Sequence, residues 1–321
     1  HLGQLYYGKR IHDRDNFDHL FETSPRPMSP CSYEGDLTFS LEHIKQEYPV
    51  YGSGDLRHPA IDITQENGSH ILNFEYVNHQ IIQGKPQLDH LPATYVEKED
   101  EAQPLIITLY DDVIDTKLQL SYTIYHDLPV ITRNAFIINC GQQSLRLNQM
   151  MSMSLDLPDQ DYEMIELCGS WSRERSIKTR KLVEGIQSIY SLRGCSSHQF
   201  NPFIALKRKN CNECAGEVLG FSFVYSGNFL AQVEVDNYHV SRVLMGIHPH
   251  GFEYVLNHLD SFQTPEVVMV YSNQGLNKMS QTYHKLYQTR LVRGKYRDQV
   301  RPILVNNWEG TYFDFNEDKI I

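Results

Sequence analysis

This sequence predicts a mainly β protein, a large antiparallel sandwich followed by one helix, and three observations carry that reading. Short segments rich in Val, Ile, Thr, Tyr and Phe recur with a period of two, Gly, Asp, Asn and Pro turns separate them, and helical periodicity surfaces only near the C-terminus. The segments are His70 to Val77, Leu105 to Leu109, Lys117 to Tyr125, Ile131 to Asn139, Met150 to Leu157, Val218 to Tyr225, Phe229 to Val235, Arg242 to Ile247 and Val267 to Tyr271. Many strands in succession with no helix between them argue for antiparallel pairing in two packed sheets. Twenty tyrosines and fourteen phenylalanines suit this, since aromatic pairs across strands stabilise sheets.

One segment breaks the period. From Gly275 to Arg293, apolar residues fall at Leu276, Met279, Tyr283, Leu286, Tyr287 and Leu291, the spacing of an amphipathic helix. Arg290 and Arg293 suit the negative end of its dipole, and Gly294 supplies a stop. Beyond it, Ile303-Leu304-Val305 followed by Asn306-Asn307-Trp308-Glu309 reads in two ways. It fits the first strand of a β/α barrel, whose ligand sites lie beyond the carboxyl ends of the strands. It also fits a last sandwich strand ending on a surface aromatic. A helix placed before Arg301 has the look of a connector, so the expected division is sandwich over 1–272, linker helix over 273–299 and the opening of a barrel over 300–321.

Composition excludes several function classes. With 321 residues and 40% hydrophobic content the chain can bury a substantial core as one large domain or two ordinary ones. Forty acidic against 29 basic side chains give a net charge of -11, and no basic block dominates, so no nucleic-acid partner is expected. No apolar run approaches the roughly 20 residues that span a bilayer, so no membrane partner is expected either. Residues 1 to 20 are polar, unlike an export signal, and six cysteines are few for a disulfide scaffold of this length, which points to the cytoplasm.

Candidate chemistry is sparse. Cys211 and Cys214 have metal spacing, with His248 and His250 downstream, yet the second close pair of a zinc ribbon is missing and the segment reads as a hairpin turn, so no metal is expected. Asn67-Gly68-Ser69 is a sequon and equally a turn signal. The paired acids Asp111-Asp112 and Asp159 with Asp161 read as solvated turn residues, and His198 as a buried polar contact. No nucleophile elbow or phosphate-cradling glycine loop occurs, and no cofactor is called for.

Three long runs give a more specific signal. Ser196 to Leu206 (SSHQFNPFIAL), Gly220 to Phe229 (GFSFVYSGNF) and Phe262 to Ser272 (FQTPEVVMVYS), together with Arg301 to Phe315, resemble the bacterial α-galactosidases of glycoside hydrolase family 36, in consistent order along essentially the whole chain. The resemblance implies an N-terminal β-supersandwich, a linking helix and the first strand of a catalytic (β/α)8 barrel, with the two catalytic aspartates on later barrel strands; the expected catalytic set in this chain is therefore none. It also implies α-galactoside oligosaccharides as substrate and a homo-tetramer. Trp308 would form the pocket wall, where the C–H face of a sugar can stack, with Asn306 and Asn307 offering amides to hydroxyls. The Gly-rich loop Tyr51 to Ala60 resembles one that reaches toward an active site in tetrameric relatives, which makes Asp55 and Arg57 candidate sugar ligands. Their spacing alone equally fits a local ion pair. Two other functions stay open, a stand-alone carbohydrate-binding or assembly module and an α-N-acetylgalactosaminidase.

Overall fold

The computed structural model describes residues 2–21, Asp36 and 39–321. Two sheets carry the fold. The larger has ten strands, in the order β2 (Glu75–Ile81), β3 (Ala102–Asp111), β4 (Thr116–Tyr125), β5 (Val130–Asn139), β16 (Glu266–Ser272), β11 (Val218–Val224), β10 (Phe200–Arg208), β7 (Tyr162–Ser170) and β8 (Arg173–Lys181), with β15 (Ser261–Gln263) beside β5. The smaller has six, in the order β1 (Ile61–Thr64), β6 (Leu145–Leu157), β13 (Ser241–Ile247), β12 (Phe229–Val235) and β9 (Gly185–Ser191), with β14 (Tyr254–Leu256) beside β6. Every pairing between these strands is antiparallel, as the sequence predicts.

The period of two sets the layers. Along β12, Phe229, Ala231, Val233 and Val235 point into the core, where they meet Ile204, Leu206, Leu219, Phe221 and Met269 of the other sheet. A second cluster continues the core through Ile61, Ile63, Leu118, Leu120, Ile137 and Leu147. The last strand in sequence, β16, sits in the middle of the larger sheet, between β5 and β11. It thereby joins the β2–β5 meander to β11, β10, β7 and β8 of the same sheet.

Helix α1 (Gly275–Arg290) covers the far face of the larger sheet. Met279, Tyr283 and Leu286 bury against Val268, Val270, Val218 and Ala205, and the Tyr283 hydroxyl donates to Val268 O at 3.1 Å. Its expected basic end is present, with Arg290 gripping Glu101 through Nε and Nη2 at 2.7 and 2.9 Å. The α1 start is capped by the Cys211–Gly216 turn, whose carbonyls at Gly216, Asn212 and Glu213 accept from Gly275, Leu276 and Asn277 N–H, each at 3.0 Å.

Several expectations need correction. The strand expected at His70 begins at Glu75 instead, and β1, β7, β8, β9 and β10 do not stand out by periodicity. β8, RERSIKTRK, is charged on both faces and almost wholly exposed, as suits a sheet edge that must not pair with another chain. The strand expected at Ile303-Leu304-Val305 does not form. Val300, Ile303 and Leu304 are 97%, 97% and 89% exposed, and two four-residue helical turns, α2 (Trp308–Thr311) and α3 (Glu317–Ile320), follow. A buried parallel strand takes its hydrogen bonds and its burial from neighbours on both sides, and among the described residues no strand lies beside 300–305.

Gly275 gives a direct test of the α1 docking. It has φ +81°, and a Cβ there would fall 2.4 Å from Asn212 O and 2.6 Å from Ala215 N. Gly185 has φ +96° with nothing within 4 Å of that point. Gly185→Ala is expected to cost about 1–2 kcal/mol, the left-handed backbone penalty alone. Gly275→Ala is expected to cost about 2 kcal/mol more by urea denaturation, because backbone must also move; equal costs would contradict the capping role.

Candidate functional site

The loop Tyr51 to Ala60 turns at Gly52 and Gly54, whose φ values of +95° and +97° only glycine adopts without strain. Asp55 and Arg57 are brought together, but inside the protein. Arg57 donates to Asp55 through Nε and Nη2 at 2.9 and 3.0 Å, and Arg242 Nη2 reaches Asp55 Oδ2 at 2.7 Å. Arg242 also clasps Asp156 through Nε and Nη2 at 2.7 and 2.8 Å, and Gln46 N–H donates to Asp156 Oδ2 at 2.9 Å. The side chains of Asp55, Asp156 and Arg242 have no solvent exposure.

Strand alternation explains the placement. Val243 on β13 and Leu155 on β6 face the core, so Arg242 and Asp156, which are cross-strand neighbours, face the other way. Glu234 of β12 lies opposite Arg242 on that same face and accepts from His58 N–H at 2.8 Å, while Arg242 Nη1 donates to His58 O at 3.1 Å. The loop is thus held to the smaller sheet by charge. The expectation that Asp55 and Arg57 bind sugar directly is corrected for this structure, because both Asp55 oxygens are engaged within the fold and no face of the carboxylate is open. The exposed residues of the loop are Tyr51, Gly52, Leu56 and His58.

At the C-terminal end, Trp308 opens α2 and is 46% exposed. Its ring meets Phe313 and Tyr312 edge-on, with centroids 4.9 and 5.4 Å away. Asn306 Oδ1 accepts from Trp308 N–H at 3.1 Å, and Asn307 Nδ2 donates to Thr311 Oγ1 at 2.7 Å, so both asparagines shape the turn. Three aromatic rings and an amide stand together on the surface here.

The other candidates resolve into structure. Cys211 is buried and burial raises its thiol pKa, Cys214 is exposed, and their turn caps α1. Cys31 lies outside the described residues. Among those residues, no group of three or more His, Cys, Asp and Glu could hold a metal. Asn67 Oδ1 accepts from Ser69 N–H at 2.8 Å, the turn that the sequon also spells. Asp111 is buried instead of solvated, and its carboxylate accepts from the backbone of Asn73, Val113 and Ile114. Asp159 pairs with Arg208 and Asp161 with Lys209. His198 is exposed, which corrects its reading as a buried contact.

Comparison with known proteins decides the family. The chain matches the Glycosyl hydrolase family 36 N-terminal domain over residues 1–257 and Melibiase over residues 261–321. The chain belongs to glycosyl hydrolase family 36. Within family 36 it is 54% identical over its whole length to alpha-galactosidase AgaA of Geobacillus stearothermophilus, and 46% identical over 99% of its length to alpha-galactosidase Mel36A of Lactobacillus acidophilus. It spans 44% of each of those two proteins. The crystal structure of AgaA in complex with stachyose matches with a TM-score of 0.94 over 99% of this chain and 44% of that one. The alpha-galactosidase of Lactobacillus brevis matches with the same TM-score of 0.94 at 42% identity, again over 99% of this chain and 43% of that one.

This family 36 chain stakes stability on the Arg242 cluster. Burial pushes the Asp156 carboxyl up, but Arg242 and Arg57 more than reverse this and the pKa is lowered. A lowered folded-state pKa adds stability that is fully present above the unfolded carboxylate value of ~3.9 and is lost as pH falls from there through the lower folded-state pKa. Asp156→Asn is therefore expected to cost about 3–5 kcal/mol at neutral pH, since it leaves a buried guanidinium half-compensated. That deficit should narrow below about pH 4. A constant gap in denaturation midpoints from pH 7 down to pH 3 would contradict the ion-pair account.

Proposed function

We propose that this chain is the N-terminal part of a retaining α-galactosidase that removes terminal α-linked galactose from raffinose- and melibiose-type sugars. The carrying observation is the match along the whole chain to AgaA, whose crystal structure holds stachyose. Retaining hydrolysis uses two carboxylates about 5–5.5 Å apart, one attacking the anomeric carbon and one serving as acid and then base. Among the described residues the buried carboxylates are committed elsewhere: Asp55 and Asp156 to Arg242, Glu266 to Lys85, Glu166 to Arg180, and Asp111 to the backbone of Asn73, Val113 and Ile114. In this reading the catalytic pair lies on later barrel strands, beyond Ile321.

What the chain contributes is shape. Trp308 supplies an apolar ring face for the C–H side of galactose, and the free amide oxygen of Asn307 meets a hydroxyl. The loop Tyr51 to Ala60, fixed by Asp55 and Arg57, presents Tyr51 and Leu56 toward the entrance of a neighbouring subunit. A homo-tetramer in the cytoplasm completes the reading. The exposed Val300, Ile303 and Leu304 support the continuation, because that much apolar surface is what a barrel would cover.

The chain alone is expected to give no turnover of an aryl α-galactoside; hydrolysis above the buffer blank would overturn the assignment of the catalytic pair. In a version extended to the length of the relatives, Trp308→Ala should lower kcat/KM for raffinose by about tenfold or more, the loss of one stacked ring face. Unchanged kinetics would remove Trp308 from the pocket wall.

A further inference from the structure

β8 is the edge of the larger sheet and β9 the edge of the smaller, and Arg180 ties them by donating from Nη2 to Ser188 O at 3.1 Å. Beside that tie lies a groove of ≈ 620 Å³, lined by Phe200, Gln199, Glu166, Ser176, Lys178 and Arg180 among others. Tyr190, at the end of β9, extends the Phe200 wall: the two ring centroids are 6.4 Å apart, and Tyr190 is 46% exposed.

The bland reading is that the cations of β8 only guard a sheet edge. It accounts for the charge on the strand but not for what faces the groove. Arg180 is already answered by Glu166 at 2.5 Å, which fixes the plane of its guanidinium at the groove wall. Gln199 Oε1 accepts from Arg193 Nε at 3.0 Å, which orients the amide and leaves its NH2 free to donate. The Ser176 hydroxyl and the Glu166 carboxylate add a donor and an acceptor. An aromatic wall beside fixed planar hydrogen-bonding groups is the chemistry that recognises a sugar, whose ring has an apolar C–H face and a polar rim.

We propose that this groove is a second saccharide site, distinct from the Trp308 region, which takes a neutral oligosaccharide of a few hexose units. The choice of a galactoside as its ligand rests on the proposed function; the groove itself does not. Its place at the β7, β8 and β10 end of the larger sheet would hold a longer sugar on the enzyme without involving it in the chemistry.

The test is a titration of the isotope-labelled 321-residue chain with stachyose, followed by amide NMR, and then with inorganic phosphate. Saturable shifts at Ser176, Arg180, Gln199 and Phe200 with a Kd of about 1–10 mM are expected. Tyr190→Ala and Gln199→Ala should each weaken binding at least about threefold while keeping the parent's thermal midpoint, because both side chains are exposed. Absence of shifts up to about 50 mM, or shifts untouched by both variants, would overturn the proposal. Displacement of stachyose by phosphate would make the groove an anion site instead and also overturn it. Shifts confined to residues 51–58 and 306–312 would overturn the groove while leaving the proposed function standing.

Discussion

A guanidinium removed from water must be compensated nearly in full, and Arg242 is among the largest wholly buried side chains of this chain. Its compensation comes from two distant stretches of sequence, Asp156 on the adjacent strand and Asp55 in the early loop. The rest of the arrangement follows from that. Asp55 can reach Arg242 only if the loop folds down onto the outer face of the smaller sheet, which takes two glycines at positive φ and Arg57 to hold both Asp55 oxygens. Arg57 in turn donates to Ile44 O at 2.7 Å, and Gln46 to Asp156, so the segment before the loop is bound by the same charges.

Hydrophobic burial gives the sandwich most of its stability, but it is indifferent to which surface loop goes where. The charged cluster supplies the specificity. Each ion has its partner only in one arrangement, and a wrong one would leave a charge buried alone. A similar division holds on the opposite side of the larger sheet, where α1 buries Met279, Tyr283 and Leu286 while Glu101 fixes Arg290 at its end. Both devices fix their segments, the early loop and the end of α1, against the sheets by charge.

The legible part of this fold is the part with a clean period. β12 is readable to the residue, and β4, β5, β11, β13 and β16 to within a residue or two, because alternating burial leaves its mark directly on the sequence. β8 is invisible: an exposed edge strand has no apolar face to advertise. The site is less legible still. Asp55 and Arg57 stand out as a pair, but nothing in their spacing shows that a third residue, Arg242, lies 187 positions away in sequence and 2.7 Å away in space. A lone Arg opening an apolar run, in Arg242-Val243-Leu244-Met245, is the available signal, since a buried charge implies partners. The apolar run at 303–305 misleads for the opposite reason. Its pattern states that it will be buried, not which neighbours bury it.

Amide hydrogen exchange of the loop is the most direct test that the buried charges hold it in place. In Arg242→Gln, the amides of Asp55 to Ala60 should lose protection by about a hundredfold, equivalent to roughly 2.7 kcal/mol at about 1.36 kcal/mol per tenfold, while those of β3 to β5 keep most of theirs. Loop protection equal to that of the parent chain would contradict the account. It would mean that packing, and not charge, fixes the loop.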